Sequence, residues 1–453
     1  MRIIVIGGGI SGLACGHGLG RELPEAHLSV LEASDRAGGV IGTTTVHGHA
    51  LDDGPGGWLN RDDSTERLLD DLGLKGSVIG GIEANRRRFV WKGDRLRRFP
   101  SDLSSFMSTD LLSFSAKLRV LSEPFIPWPE AGSGVDTDVA SLFERRLGAE
   151  AMRALIDPVL AGIYAGRPED LSLRATLPPV ARLMESRRSL VKQALASRRT
   201  GAGVGGGYAS LREGMGALPE ALASHLGDRL QTSSPVAHLE PSASGWRVTV
   251  GGDSPRELEA DAVVLAAPAP VAAKLTEQVD REVSDFFRSV PTSPVAVVGL
   301  GFAPDDAPAL EGYGHLVPST ETGSVLGVLW SSSIFEGRAE NGVSLRVILG
   351  GWRDPDICGR SEEELMDLAR ENVRASLGIT AEPQATSVSR HVQGLPQYRV
   401  GHLDRVQALG EALERHRGLF IIGNAVHGVG VNACTSAAAR AVEAVGAYLA
   451  SLD

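Results

Sequence analysis

The chain has 453 residues, 42% hydrophobic and 22% charged, so two or three lobes are expected because single cores stop growing at roughly 250–300 residues. A net charge of −11 and a pI of about 5.6 give a field that repels polyanions, which excludes nucleic acid as an expected partner. Cys15, Cys358 and Cys434 are too far apart for a disulfide or zinc pattern and suit a reducing, cytoplasmic compartment, with no metal site expected. No run reaches the roughly 18–20 apolar residues that cross a bilayer, and glycines break the apolar run of "IIVIGGGISG" too early for a signal peptide.

The first predicted element is a strand, "RIIVI", whose unbroken β-branched run suits a strand buried on both faces. Gly7, Gly9 and Gly12 follow in a G-x-G-x-x-G turn that opens a helix ending near Pro24. In such a unit the first glycine makes the tight turn and the second lets backbone approach a pyrophosphate. The third lets helix and strand pack closely, and the helix N-terminus faces the phosphates. A second strand, "LSVLE", ends at Glu32, 20 residues beyond Gly12, where a carboxylate accepts from ribose hydroxyls. The expected ligand contacts are Gly7, Gly8, Gly9, Ile10, Ser11, Gly12 and Glu32. A second spelling of the motif, "GAGVGG" at 201–206, follows a basic segment and starts no long helix, so it is expected to be a flexible connection.

His47 and His49 lie two apart on a predicted strand and, without a third ligand, are expected to be packed or solvated. Residues 86–99, "RRRFVWKGDRLRRF", carry seven basic residues and predict a β-hairpin turning at "KGD". Residues 100–200 are helix-rich, with Asp138 expected to cap a helix that places Val139, Leu142, Phe143 and Leu147 on one face. Further strands are expected at "PVAHLEP", "WRVTV", "ADAVVLAAP", "VAVVGLGF" and "SLRVILGG". The C-terminal "GLFIIGNAVHGVGVNACTSAAARAVEAV" predicts a buried strand, a glycine turn and a helix capped by Asn432.

Several of these stretches resemble known proteins. "EASDRAGG" matches the E-x-x-x-R-x-G-G extension of FAD proteins of the glutathione-reductase and amine-oxidase type, and "LDDGPGGWL" matches their acid-x-G-P loop. "IDPVLAGIYAGRPEDLS", "GGYASLREGMGALPEAL", "GYGHLVPSTE", "LGVLWSSSIFEGRA" and "GLPQYRVGH" occur in the order found in the porphyrinogen oxidases of haem biosynthesis. The chain is similar, over nearly its whole length, to the oxygen-dependent, FAD-containing protoporphyrinogen oxidase family. It departs from that family at Val426, Ala433 and His391, where an aromatic, an acid and a tryptophan are usual.

The resemblance implies an α/β fold: a Rossmann-type FAD-binding domain of the amine-oxidase and p-hydroxybenzoate-hydroxylase kind, a mixed-sheet substrate domain and a helical lobe. The FAD domain is expected from about 1–82, 205–270 and 403–453, the substrate domain from 83–99 and 271–402, and the helical lobe from 100–204. It also implies Arg36, Gly39 and Val40 around the pyrophosphate and ribityl chain, and Gly54, Pro55, Gly56 and Gly57 under the flavin ring. Val236 belongs to the adenine side, and Val429, Gly430 and Val431 to the pyrimidine end. The substrate is expected to be a porphyrinogen with O2 as acceptor and H2O2 as product. Arg88 would meet a propionate, Tyr313, Leu316, Leu329 and Ile348 would wall the macrocycle, and no catalytic side chain is assigned because flavin N5 carries the chemistry. Trp128 and Phe125 are expected anchors for peripheral contact with an inner membrane, against the alternative of an ordinary proline-rich loop. Coproporphyrinogen oxidation, an amine oxidase or carotenoid desaturase, and a flavin-binding protein without turnover stay open, as does a homodimer.

Overall fold

The computed structural model describes residues 1–59, 63–82, 86–128, 136–199 and 207–452. The "GAGVGG" segment therefore lies outside the described residues. A five-stranded parallel sheet runs in the order Leu230–Gln231, His27–Leu31, Arg2–Ile6, Ala262–Leu265, Leu419–Ile421. "RIIVI" sits at its centre because both faces of that strand are apolar. Ile3 and Val5 enter a core with the helices Ile10–Glu22, Ala217–Leu226 and Val431–Ala450. Ile4 and Ile6 enter a second core with Trp246 and Val248 of a three-stranded antiparallel sheet, and with the helices Ala269–Thr276, Arg281–Arg288 and His402–Leu413.

The second large sheet has seven strands in the order Ala385–Pro396, Thr292–Phe302, Val343–Gly350, Val325–Leu329, Gly314–Leu316, Arg88–Trp91, Leu96–Arg98. All pairings are antiparallel except Gly314–Leu316 with Arg88–Trp91. Side chains alternate between the faces of a strand. Leu345, Val347 and Leu349 therefore bury against Leu365, Ala369 and Val373 of the helix Glu362–Leu377, while Ser344, Arg346 and Ile348 point to the other face. The hairpin Thr43–Val46 with His49–Asp52 approaches that second face, where a Cβ on Gly299 would stand 2.9 Å from Leu51 Cβ. The basic hairpin forms as expected, with Phe89 opposite Arg98 and a turn through Gly93 and Asp94, both at positive φ.

His47 is not on a strand. It takes the left-handed conformation in the two-residue turn His47–Gly48, the geometry that right-twisted hairpins favour, and only His49 lies in the strand, fully buried beside Ser344 Oγ at 2.9 Å.

Helices fill most of 103–199 around Leu111, Phe143, Met152 and Leu160. Asp138 caps Val139–Leu147 by accepting from the Ser141 N–H at 2.7 Å, and Val139, Leu142, Phe143 and Leu147 are buried together. Two ionised groups lie inside this segment. Arg146 donates through Nε to Glu123 Oε1 at 2.9 Å and through Nη2 to the same carboxylate, while Ser189 Oγ and the N–H groups of Leu190 and Val191 complete the shell of Glu123. Trp128 turns inward, its ring centroid 4.0 Å from the Arg146 guanidinium carbon, whereas Phe125 is 88% exposed.

Candidate functional site

The N-terminal turn forms because its glycines do different work. Gly7 takes φ +110° and its N–H donates to Leu31 O at 2.8 Å, tying the turn to the second strand. A Cβ on Gly12 would lie 1.9 Å from Gly7 O, so the helix can pack this close only with glycine there. Around Gly9 a Cβ would meet nothing within 4 Å. The open position is the one at which a pyrophosphate approaches, and the helix Ile10–Glu22 has no side-chain cap over its N-terminal N–H groups. Ile10 packs against the first core, and Ser11 is buried and bonded to the Cys434 thiol. The Glu32 carboxylate stands at the same turn, accepting from the Gly8 N–H at 2.6 Å and the Ser34 N–H at 2.8 Å. An ionised carboxylate has about four acceptor positions, so this arrangement leaves room for ribose hydroxyls. Ser234 N–H donates to Glu32 O at 2.8 Å, which brings the start of the strand Val236–Ser242 to this end of the site.

The next loop folds back over the turn. Gly38 N–H donates to Gly8 O at 2.8 Å, and Arg36 spends its guanidinium on its own loop, donating to Ile41 O and Gly39 O, each at 3.1 Å. Gly39 and Val40 are exposed. A Cβ on Gly54 would lie 2.1 Å from Val40 O, so the loop of Gly54, Pro55, Gly56 and Gly57 lies directly beneath.

That lower loop and the two residues before it are held at Asp52, Asp53, Gly54 and Gly56 by groups to which the sequence reading gave no site role. Asp52 accepts from Thr43 Oγ1 at 2.7 Å and from the Met215 N–H at 2.9 Å, and pairs with the fully buried Arg338 at 3.3 Å. His391 Nε2 donates to Asp53 O at 2.7 Å, and Ser389 Oγ to Asp53 Oδ1 at 2.8 Å. Arg346 Nη1 donates to Gly54 O at 2.6 Å, and Ser210 Oγ to Gly56 O at 2.8 Å. His391, where the family usually carries tryptophan, thus acts as a tether. The signal for Arg346 was present in the sequence: one charged residue interrupts the apolar strand "VSLRVILG".

At the other end the helix Val431–Ala450 begins from Gly430, where a Cβ would again meet nothing within 4 Å. Asn432 is not its cap. Gly430 takes the cap position, and the Asn432 amide donates to Leu59 O and accepts from Thr65 Oγ1 at 2.9 Å, because it lies one residue inside the helix and faces the neighbouring segment. Val431 is buried in the first core and Val429 packs toward the helical segment. The Ser11–Cys434 contact brings the first turns of the helices Ile10–Glu22 and Val431–Ala450 together. Two uncapped helix N-termini, two open glycine positions and a carboxylate beside the first of them fit an extended dinucleotide.

The seven-stranded sheet supplies the other wall. Its register sets Gly299, Arg346, Leu329, Gly314 and Arg88 in one row across five strands, so these residues share a face. Leu316 and Ile348 fall on the same face one step along. Arg88 lies 5.4 Å from the centroid of the Tyr313 ring, and burial pulls its guanidinium below the usual arginine range. Three of the four predicted wall residues fall into two small apolar clusters, and Leu316 into neither. Tyr313 and Leu329 pack with Ile79, Ile334 and Phe335, and Ile348 packs with Ala161, Ala165 and Leu326. Leu316 meets the "GIYAG" helix, where a Cβ on Gly162 would stand 2.9 Å away. Among the described residues no cluster of His, Cys, Asp or Glu is arranged to hold a metal ion, and no helix is long and apolar enough to cross a membrane.

The flavin containing amine oxidoreductase family matches residues 10–446. The protoporphyrinogen oxidase of Homo sapiens is 31% identical over 98% of both chains. The coproporphyrinogen III oxidase of Bacillus subtilis is 29% identical over 99% of both. A crystal structure from Exiguobacterium sp. 255-15, provisionally named protoporphyrinogen oxidase, superposes with a TM-score of 0.85 at 26% identity, covering 98% of each chain. Putrescine oxidase shares the fold at 17% identity and a TM-score of 0.71, covering 98% of each chain. The chain is an FAD-dependent oxidoreductase that belongs to the flavin containing amine oxidoreductase family and, within it, to the protoporphyrinogen oxidase family.

Proposed function

We propose that this protein oxidises protoporphyrinogen IX to protoporphyrin IX in haem biosynthesis, with O2 as the final acceptor and H2O2 as the second product. The bound FAD supplies the acceptor for hydride and its reoxidation by oxygen. The chain's own residues bind, orient and exclude water. Gly7 to Gly12 and Glu32 hold the dinucleotide, Arg36, Gly39 and Val40 enclose its middle, and Gly54 to Gly57 bear on the ring. Val236 lies toward the adenine, and Val429, Gly430 and Val431 toward the pyrimidine edge, where a helix N-terminus favours the negative charge that develops on hydride transfer.

The observation that supports this reading is the shared sheet face: the register puts Arg88, Leu316, Leu329 and Ile348 on the same face of the seven-stranded sheet as Arg346, which bonds the Gly54 loop. A flat apolar ring with carboxylate arms needs that combination, an apolar wall with a planar cation at its margin. The division into an FAD domain, a substrate domain and a helical lobe at the boundaries given above belongs to the same proposal. So does peripheral membrane contact through the exposed side chains Leu103, Met107, Phe114, Leu118 and Phe125. Trp128, committed to Arg146, is left out of that surface.

Coproporphyrinogen III oxidation is the second reading, supported by the likeness to the Bacillus subtilis enzyme over the full chain. The deciding experiment mixes the FAD-loaded protein anaerobically with each porphyrinogen and follows loss of flavin absorbance, then admits air and follows porphyrin fluorescence. Faster bleaching by protoporphyrinogen is expected. Faster bleaching by coproporphyrinogen transfers the assignment to the second reading, and no bleaching by either leaves a flavin-binding protein without this turnover.

A further inference from the structure

Among the described residues, Arg346 is a buried cation without a counterion. It is 6% exposed, and among the described residues no carboxylate lies within ion-pair distance of it. Of its N–H donors, Nη1 reaches Gly54 O at 2.6 Å, and Nε has no acceptor among the described residues. Asp52, the buried acid of the same neighbourhood, is taken by Arg338, Thr43 and the Met215 N–H. Guanidinium does not give up its proton in proteins, so the charge stays, and a buried charge without a partner is strongly unfavourable. Such a group is retained when something that is bound later faces it.

The geometry names what faces it. A Cβ on Gly56 would stand 2.6 Å from Arg346 Nη1 and 3.1 Å from both Cζ and Nη2, so the guanidinium lies flat against the backbone of this loop, and glycine at 56 is what admits it. The loop is itself pinned between the dinucleotide turn, through Gly54 under Val40, and the segment at Leu59 that Asn432 ties to the second helix N-terminus. A dinucleotide that runs from Gly9 to Gly430 therefore crosses the strip of backbone that Arg346 supports. Arg88 shares the sheet face but lies three strand spacings away, about 14 Å, so the two cations serve different places.

We infer that Arg346 is a positioning residue for the bound FAD: it fixes the Gly54–Gly57 loop against the ring end of the cofactor and biases the cofactor toward its reduced, more negative form. The inference rests on FAD binding and not on which porphyrinogen is oxidised, so its test uses the cofactor alone.

The experiment measures the two-electron midpoint potential of bound FAD by dye-linked reduction, with no porphyrinogen present, in the wild type, Arg346→Gln, Arg346→Lys and Gly56→Ala. Removing the positive charge is expected to weaken binding of the reduced relative to the oxidised cofactor about tenfold, a fall of about 30 mV for a two-electron couple. Arg346→Lys keeps the charge and is expected to stay near the wild type. Gly56→Ala displaces the guanidinium and is expected to shift the potential in the same direction as Arg346→Gln by less. A wild-type potential in Arg346→Gln, or equal falls in the Gln and Lys variants, overturns the inference and leaves a packing role. If both Arg346 variants fail to take up FAD, an unchanged potential in Gly56→Ala overturns it and a lowered one upholds it.

Discussion

Arg146 and Arg346 are both buried, and their surroundings differ in the one respect that separates scaffold from site. Arg146 has a carboxylate, two backbone carbonyls and a tryptophan ring, and its partner Glu123 is in turn bonded by Ser189 and two backbone N–H groups. Among the described residues, Arg346 has one carbonyl. The surroundings of Arg146 are complete within the chain, whereas those of Arg346 leave Nε without an acceptor among the described residues, the feature on which its proposed role toward FAD rests.

The contrast is broken most sharply at Glu123. Burial alone pushes its carboxyl up, but the hydrogen bonds from Ser189, Arg146 and the Leu190 and Val191 N–H groups hold it below the usual carboxylate range. Glu123→Ala strands Arg146 as a buried charge and is expected to lose about 3–5 kcal/mol in urea denaturation, with FAD uptake by the folded fraction unchanged. A loss under about 1 kcal/mol would show that the pair is not the brace described.

A neutral group extends the comparison. His402 is 1% exposed, stacks on Tyr398 with centroids 4.3 Å apart, and burial lowers its pKa from 6.5 to about 4. Between those values the unfolded chain binds a proton that the folded one refuses. The stability due to the buried neutral ring is therefore full above pH 6.5 and is lost as pH falls toward 4, by up to about 3 kcal/mol. His402→Phe is expected to flatten that part of the pH–stability curve and leave stability at pH 8 nearly unchanged; an unaltered slope between pH 6 and pH 4 would sink this account.

Arg88 tests the substrate side of the proposal. Arg88→Ala is expected to raise the apparent KM for the porphyrinogen about thirtyfold, roughly 2 kcal/mol for a lost charged hydrogen bond, with a smaller effect on flavin reduction. An unchanged KM would remove Arg88 from contact with the propionate. Together with the potential measured in the Arg346 variants, this separates a cation that binds substrate from one that positions cofactor.

Much of the fold was legible. The strand, turn, helix and Glu32 lie within 32 consecutive residues, and a glycine spacing that must satisfy both backbone clash and phosphate approach leaves few alternatives. The basic hairpin and the Asp138 cap were readable for the same reason, since turn and cap chemistry act over a few residues. The Asn432 cap misled because a good capping residue one position from the boundary has the same composition as a real cap. His47 misled because alternation in sequence does not reveal where a hairpin turns.

The sequence by itself determined the dinucleotide unit, the family and many of the sheet strands, because each depends on short-range pattern: periodicity, turn residues and motif spacing. Only the tertiary structure decided that Arg338, Arg346, His391 and Ser210, from three distant segments, converge on one loop, and that Arg88 and Arg346 occupy one row of a sheet. Strand order and register set those contacts across separations of more than 150 residues, as between Ser210 and Gly56, and no local pattern carries that information.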